Sequence, residues 1–333
     1  MHKHPRLIRF LFILLVLLPG LAACQGLRAP VPPLDSPLLV QLSWTHSSQF
    51  AGLYVADQQG YYAEEGLDVT WLEGGPTVDR LAALLAGEAQ FAIASGPEII
   101  RARAAGAPIR AIATIFRRSP FAFFSLADSG ITRPEDFGGK VIQIRPRARP
   151  ILYTMMEKVG MHPDQWREDP DAAFSALFTG QVDVATGFVT TELLAAEKAG
   201  YQLHVIYPDD YGVHFSTDSL VTTDAYLAAN RETGVRFLRA TLRGWRFAIE
   251  NPTEAAQLTV HYNPAADPMY ELNPLTASLP FIHTGQDPIG MMTIEEWTGM
   301  VDALGTYEFL DQTVPDPTDV FTLEMLREIY PEQ

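Results

Sequence analysis

Between Leu38 and Ile115 short apolar runs alternate with helical stretches, and glycine closes the helical ones. The strand candidates are 38–42, 67–72, 91–94 and 109–115. The helical stretches 50–59, 77–86 and 98–105 are followed at once by Gly60, Gly87 and Gly106, each suited to the left-handed residue after a helix end. Strands separated by helices of about ten residues form right-handed βαβ units, so an open, mainly parallel sheet is expected.

A second α/β block begins near Gly139. It carries strand candidates at 140–144, 182–186 and 203–207, with helices at 149–159, 172–179 and 191–199. The segment Leu84–Ala94 lines up with Leu177–Thr186: both read as helix end, glycine, turn and short buried strand. Either two lobes share one plan or a common local pattern recurs by chance. After Ser219 the chain reads as helical, with a long amphipathic stretch at 231–250 that stops at Asn251-Pro252, then 253–261, 293–304 and 318–330. A first lobe, an inserted second lobe and a helical return describe a two-lobed α/β ligand binder with its pocket between the lobes. The expected division is 38–126 with 217–333 for the first lobe and 127–216 for the second.

The N-terminal segment speaks to location. Lys3, Arg6 and Arg9 precede nine continuous apolar residues, Phe10 to Leu18. A membrane span needs about 20 such residues, whereas a basic start, a short apolar run and small residues suit a secretory signal. Leu21-Ala22-Ala23 runs into Cys24, the only cysteine of the chain. This resembles the lipobox of bacterial lipoproteins and implies cleavage before Cys24, acylation of its sulfur and anchoring to a cell membrane on the extracytoplasmic face. An ordinary signal peptide, 1–23, with a chance cysteine is the alternative. Residues 24–37 contain four prolines and read as an extended tether. With residues 1–23 removed, 21 basic residues face 40 acidic ones, a net charge of −19. So acidic a chain is not a nucleic-acid binder, and one cysteine allows neither an internal disulfide nor a cysteine-based zinc site.

The stretch LLVQLSWTHSSQFAGLYVADQQGYYAEEGLDVTWLEGGP, residues 38–76, is similar to the substrate-binding proteins of ABC importers for thiamine precursors and related vitamins, a superfamily that includes sulfonate binders. The similarity continues through Gly87, 134–140 and 231–250. It implies a two-lobed, type II-like periplasmic-binding-protein fold with the cleft between lobes, and crossovers near Phe124–Asp128 and Val213–Val221. It also implies an ABC permease with its ATPase as partners. Gln49–Tyr54, Arg118-Ser119-Pro120 and Tyr207–Gly212 look most like the riboflavin-binding members. Riboflavin is then the transported ligand rather than a resident cofactor, and no cofactor is expected. A thiamine pyrimidine precursor and flavin mononucleotide remain as alternatives.

A flat heteroaromatic ligand needs aromatic faces and a few fixed polar groups. Trp44 follows the first strand and is a stacking candidate or a packing tryptophan; Tyr54 and Tyr211 are further aromatic candidates. His46 and Gln49 offer polar edges, or belong to a surface loop. Gly75, ahead of Thr77, and Ser95-Gly96, ahead of Glu98, stand at two strand-to-helix junctions, where backbone N–H groups bind carbonyls or anions. Arg118 and Arg145 are candidate donors or solvated charges. Arg145, Arg147 and Arg149 alternate and would suit a phosphate, or salt bridges. Phe188 and Thr190 follow the 182–186 strand, Thr190 or Thr191 doubling as a helix cap. Asp210 is an acceptor or part of an acidic turn. No metal ligands and no catalytic residues are assigned.

The resemblance extends to pyrimidine-precursor synthases, which carry a cysteine-rich iron-binding motif. Here the only cysteine lies in the lipobox. The eight histidines form no H-x-x-x-H or H-E-x-x-H pair, and no G-x-S-x-G or phosphate-loop motif occurs. A binding protein rather than an enzyme is expected.

Overall fold

The computed structural model describes residues 36–282, 285, 287–307, 310 and 315–331. The signal segment, Cys24 and nearly all of the 24–37 tether lie outside the described residues. The strands are β1 (Leu38–Gln41), β2 (Val69–Leu72), β3 (Phe91–Ala94), β4 (Ile109–Thr114), β5 (Phe121–Leu126), β6 (Val141–Gln143), β7 (Arg167–Asp169), β8 (Ala185–Phe188), β9 (Leu203–Ile206) and β10 (Ser219–Thr223).

The first lobe is built on a five-stranded sheet of order β2-β1-β3-β10-β4. β1 runs parallel to β2 and β3, whereas β10 pairs antiparallel with β3 and β4. β10 occupies a stretch that reads as the start of the helical return. Its hydroxyl-bearing residues conceal a strand buried on both faces. Thr222 donates to the Gln90 carbonyl at 2.8 Å, and Ser219 and Thr114 share a hydrogen bond of 2.9 Å. Those bonds are what let hydroxyls sit in a sheet interior.

The second lobe holds the antiparallel sheet β8-β5-β9 and the parallel pair β6-β7. β5 corrects the expected boundary. Phe121 faces Phe188, and Phe124 faces Val205, so 121–126 belongs to the second lobe's sheet. The first crossover therefore runs through 115–120, upstream of 124–128. The chain returns through 212–218 into β10. Three helical expectations shrink: 77–86 keeps only a turn at Ala82–Leu85, 172–179 only a 3₁₀ turn at Phe174–Leu177, and 318–330 splits where Phe321 bridges to Ala111. The Pro268–Ile282 helix was not legible because Pro274 and Pro280 lie inside it.

The repeated segment is repeated in space. Gly87 and Gly180 both take a positive φ, +76° and +71°. Their amides donate to Leu84 and Leu177; the next residues, Glu88 and Gln181, donate to Ala83 and Ala176. Gln90 and Asp183 then donate to Leu39 on β1 and Val141 on β6. Their side chains accept in return from the amides of the same two residues, at 2.8 Å each. A polar side chain at that one position pins both turns, so the correspondence is not a chance helix-glycine-strand pattern.

The motif G-Y-Y-x-x-E-G-L-D-V is a docking device. Tyr62 is buried, bonds Thr241 at 2.8 Å and stacks on Phe237 at 5.6 Å between ring centres. Arg243 lies 3.7 Å above the Tyr61 ring and pairs with Glu64, while Arg239 pairs with Glu65. All these partners lie on the Arg231–Glu250 helix. Where that helix crosses Ala51–Gln58, a Cβ on Gly244 would sit 2.0 Å from the Gly52 carbonyl oxygen, and one on Gly52 would sit 2.2 Å from the Trp245 ring. Only glycine permits this approach.

Gly52→Ala should therefore destabilise the protein by about 3 kcal/mol through overpacking. Gly299→Ala, on an exposed helical site with nothing within 4 Å of the added carbon, should stabilise it by about 0.5–1 kcal/mol. Urea unfolding midpoints check both; a neutral Gly52→Ala would refute the required contact.

Candidate functional site

Candidate residues stand at the C-terminal ends of β1, β3 and β8; in the mainly parallel sheets of α/β folds ligands bind beyond such ends. Trp44, three residues past β1, is 41% exposed, and Phe188, the last residue of β8 in the other lobe, is 39% exposed. Both are large aromatic side chains left exposed at strand ends of opposite lobes. Phe188 is set by its own turn. Glu192 folds back to accept from the Phe188 amide at 2.8 Å and from the Thr191 hydroxyl at 2.5 Å. A Cβ on Gly187 would strike Glu192 at 2.7 Å, so glycine makes room for this return. The carboxylate, not Thr190 or Thr191, caps the segment, and Thr190 sits half-buried in the turn.

Beneath Trp44 lies a buried polar network that the sequence did not announce. Asp218, in the second crossover, is 7% exposed; its carboxylate accepts from Gln49 Nε2 at 2.8 Å and from the Ser43 hydroxyl at 3.4 Å. Gln49 Nε2 also donates to Ser43 Oγ at 3.2 Å. Gln49 is thereby fixed through its amide nitrogen. The only sequence signal for Asp218 was an acid set between apolar and hydroxyl residues just ahead of β10.

Burial pushes Asp218 up to about 6, despite the opposing bonds from Gln49 and Ser43 and the nearby Arg80 charge.

The other candidates divide. Tyr54 is corrected: it is fully buried, stacked on Tyr262 at 4.1 Å between ring centres, with its hydroxyl 2.6 Å from His46 Nδ1. Burial raises Tyr54 and lowers His46. Fully buried against Tyr262, the Tyr54 ring has no face open to a ligand. At the Gly-Gly-Pro turn the backbone requires Gly74, whose Cβ would lie 2.4 Å from the Leu42 carbonyl; Gly75 would meet only Val78 at 3.9 Å. No helix starts at Thr77, so that turn offers no helix N-terminus. Ser95 and Gly96 do start a helix, but their donors are spent. Ser95 Oγ and N both donate to Glu98, at 2.8 and 3.0 Å, and the Gly96 amide donates to the Ser216 carbonyl at 3.2 Å.

Arg118 and Asp210 meet at the crossovers. Arg118 pairs with Asp209 and, at 3.0 Å, with Asp210; His214 Nδ1 lies 2.5 Å from Asp209. Burial alone would raise Asp209, but the His214 and Arg118 contacts hold its carboxyl low. Arg118 thus ties the first crossover to the approach to the second. Tyr211 is half-buried in the adjoining turn, and burial raises its hydroxyl. Arg145 donates to the Pro170 carbonyl at 2.5 Å, and Arg149 pairs with Glu168 at 2.7 Å.

Beside the 44–48 loop a depression of about 570 Å³ is lined by Lys198 of the second lobe and by Asn263, Asp267, Met269, Tyr270 and Asn273 of the first. Asn263 donates to the His46 carbonyl at 3.0 Å, and the buried Glu271 accepts from the Ser48 amide at 2.7 Å, so one wall of the depression also holds the Trp44 loop. Met269 and Tyr270 are 63% and 69% exposed and were not singled out from sequence. Among the described residues no group of three or more His, Cys, Asp or Glu side chains is arranged to hold a metal.

Two lobes, each a sheet with helices, joined by two crossovers at the mouth of a cleft, define the class of the periplasmic binding proteins. The periplasmic aliphatic sulphonate binding protein SsuA of Escherichia coli superposes with a TM-score of 0.68 over 85% of this chain and 92% of its own, at 14% identity. Residues 47–255 match the family described as NMT1/THI5 like, and the chain belongs to that family. It is 28% identical over 305 residues to the formylaminopyrimidine-binding protein of Halalkalibacterium halodurans, covering 88% of this chain and 92% of that protein. It is 27% identical over 324 residues to the riboflavin-binding protein RibY of Chloroflexus aurantiacus, covering 92% of each.

Asp218 yields a prediction about pH. Its folded value lies above the ordinary 3.8, so the folded state holds the proton more tightly than the unfolded one. The associated stability is complete below pH 3.8 and is lost as pH rises through about 6. Stability of the wild type should fall by roughly 3 kcal/mol across that window, at about 1.36 kcal/mol per unit, and Asp218→Asn should flatten the fall. Urea titrations at pH 4 and pH 7 check this; parallel profiles for the two proteins would mean a solvated carboxyl.

Proposed function

We propose that this chain is the substrate-binding lipoprotein of an ABC importer that captures riboflavin and delivers it to a membrane permease and its ATPase. The observation that carries the reading is the pair of exposed rings, Trp44 and Phe188, at strand ends of opposite lobes. A planar ligand between them joins the lobes, and closure follows from contacts that exist only when both lobes touch it. Gln49, oriented by Asp218 and Ser43, supplies an edge acceptor through its carbonyl. The similarity to RibY supports the flavin. The similarity to the formylaminopyrimidine-binding protein supports the second reading, a thiamine pyrimidine precursor, as cargo. Both relatives are binding proteins by name, which supports return of the ligand unmodified.

The mature chain works outside the cytoplasm, held to the cell membrane through a lipid on Cys24. No helix among the described residues is long and apolar enough to cross a membrane. Cys24→Ser should leave the protein uncleaved or released from membranes on fractionation; normal membrane retention of that variant would remove the anchor.

Stacking of an indole on a flavin ring contributes about 0.5–1.5 kcal/mol beyond area burial. Riboflavin added to the wild type should lose fluorescence. Trp44→Ala should weaken binding by one to two decades, at about 1.4 kcal/mol per decade, and quench less; Phe188→Ala should weaken it similarly. Calorimetric binding of formylaminopyrimidine without riboflavin would transfer the assignment to the second reading. Recovery of chemically altered ligand after incubation would refute a binding role.

A further inference from the structure

Ser43 lies just past β1, and Asp218 just ahead of β10, whose first residue, Ser219, pairs with Ala94 and Thr114 at the ends of β3 and β4. The hydrogen bonds that join Gln49, Ser43 and Asp218 therefore sit on the strand-end side of the first sheet.

The polarity of that corner is constrained by chemistry. An ionised carboxylate only accepts, so the end of the Gln49 amide that meets it must be the NH2 group. Nε2 donates to Asp218 at 2.8 Å and to Ser43 Oγ at 3.2 Å, and Ser43 spends its own hydroxyl proton on Asp218. The donors of the corner are all used inward. Among the described residues Gln49 Oε1 has no hydrogen-bond partner, and it is not one of the buried atoms left unpaired, so solvent reaches it. What the corner offers a ligand is an acceptor.

No cation touches Asp218 among the described residues. Arg80 acts on it from a distance while donating to the Ser43 carbonyl at 2.8 Å and pairing with Glu98 at 2.6 Å, and Glu98 opposes it. With only neutral donors in contact, burial holds the Asp218 proton up to about 6. A protonated carboxyl has an O–H to give, and an amide oxygen is its partner. Gln49 can then turn its carbonyl inward and its NH2 outward.

We propose that Asp218 sets the hydrogen-bonding polarity of the Gln49 amide, so that this corner selects a heterocycle edge carrying an N–H donor while Asp218 is ionised and becomes donor-faced when Asp218 is protonated. Asp218 is a positioning residue: it acts on the ligand through Gln49. The imide N–H of a flavin ring and the exocyclic amine of an aminopyrimidine both suit the acceptor. The choice of flavins as probes rests on the flavin reading; the polarity of the amide does not.

The test uses the mature chain with riboflavin and 3-methylriboflavin, which lacks the imide N–H. At pH 7.5 wild type should bind riboflavin about tenfold more tightly than the methylated form, as for the loss of about one hydrogen bond. At pH 5 that ratio should fall toward one. Asp218→Asn keeps the shape and cannot ionise, so its ratio should be the same at both pH values. Gln49→Leu should give a ratio near one at both. Without ligand, the nitrogen-15 resonance of the Gln49 side-chain amide, identified by its loss in Gln49→Leu, should move through a single transition between pH 5 and pH 7.5 in wild type and stay still in Asp218→Asn. If no flavin binds, the flavin reading fails, and the amide titration still decides the polarity switch. An amide resonance indifferent to pH in the wild type overturns the proposal. So does a wild-type flavin ratio that is constant across pH, or a pH dependence that survives Asp218→Asn.

Discussion

The contact between Gly244 and the Gly52 carbonyl, with the Trp245 ring lying where a Gly52 side chain would be, sets the distance between two helices that cover the first sheet. Any larger residue at either position would lift the Arg231–Glu250 helix away from Tyr62 and Phe237, whose stacked rings sit over β3 through Phe91. That helix follows β10, by which the chain re-enters the first lobe. β10 itself is held by its antiparallel pairing with β3 and β4, and Asp218 by Gln49 and Ser43.

A second constraint is the company kept at the crossovers. Arg118, Asp209, Asp210 and His214 form one charged cluster across the strands that join the lobes. Asp209, at its centre, is the least exposed member, at 12% of its side chain. The rigid part of the site lies beside it: Asp218, Gln49 and Ser43 are fixed in the first lobe, and the Glu192 turn fixes Phe188 in the second.

Much of the fold was legible because its signals are local. The glycine stops, the strand runs of 38–42 and 91–94, and the 231–250 helix each follow from short-range periodicity and backbone conformation. The repeated turn was visible too, although the matched hydrogen bonds from Gln90 and Asp183 needed three dimensions to be seen. Trp44 and Phe188 were legible as residues just past strand ends. Tyr54 was misread, because helical spacing says which residues share a face and not whether that face meets ligand or another ring; here Tyr262, 208 residues away, supplies that ring.

The sequence by itself determined the class of fold, the acidic balance, the family motifs and the secretory signature, since each is written in composition or within a few turns of chain. Only the tertiary structure decided that β5 joins the second lobe, that β10 threads the first sheet antiparallel, that Asp218 is buried, and that Arg145 and Arg149 are committed to Pro170 and Glu168. All four depend on which distant segment arrives at a given place. Strand pairing and ion pairing are contacts between residues far apart in the chain, and the energy that selects them is felt only when the segments have been brought together.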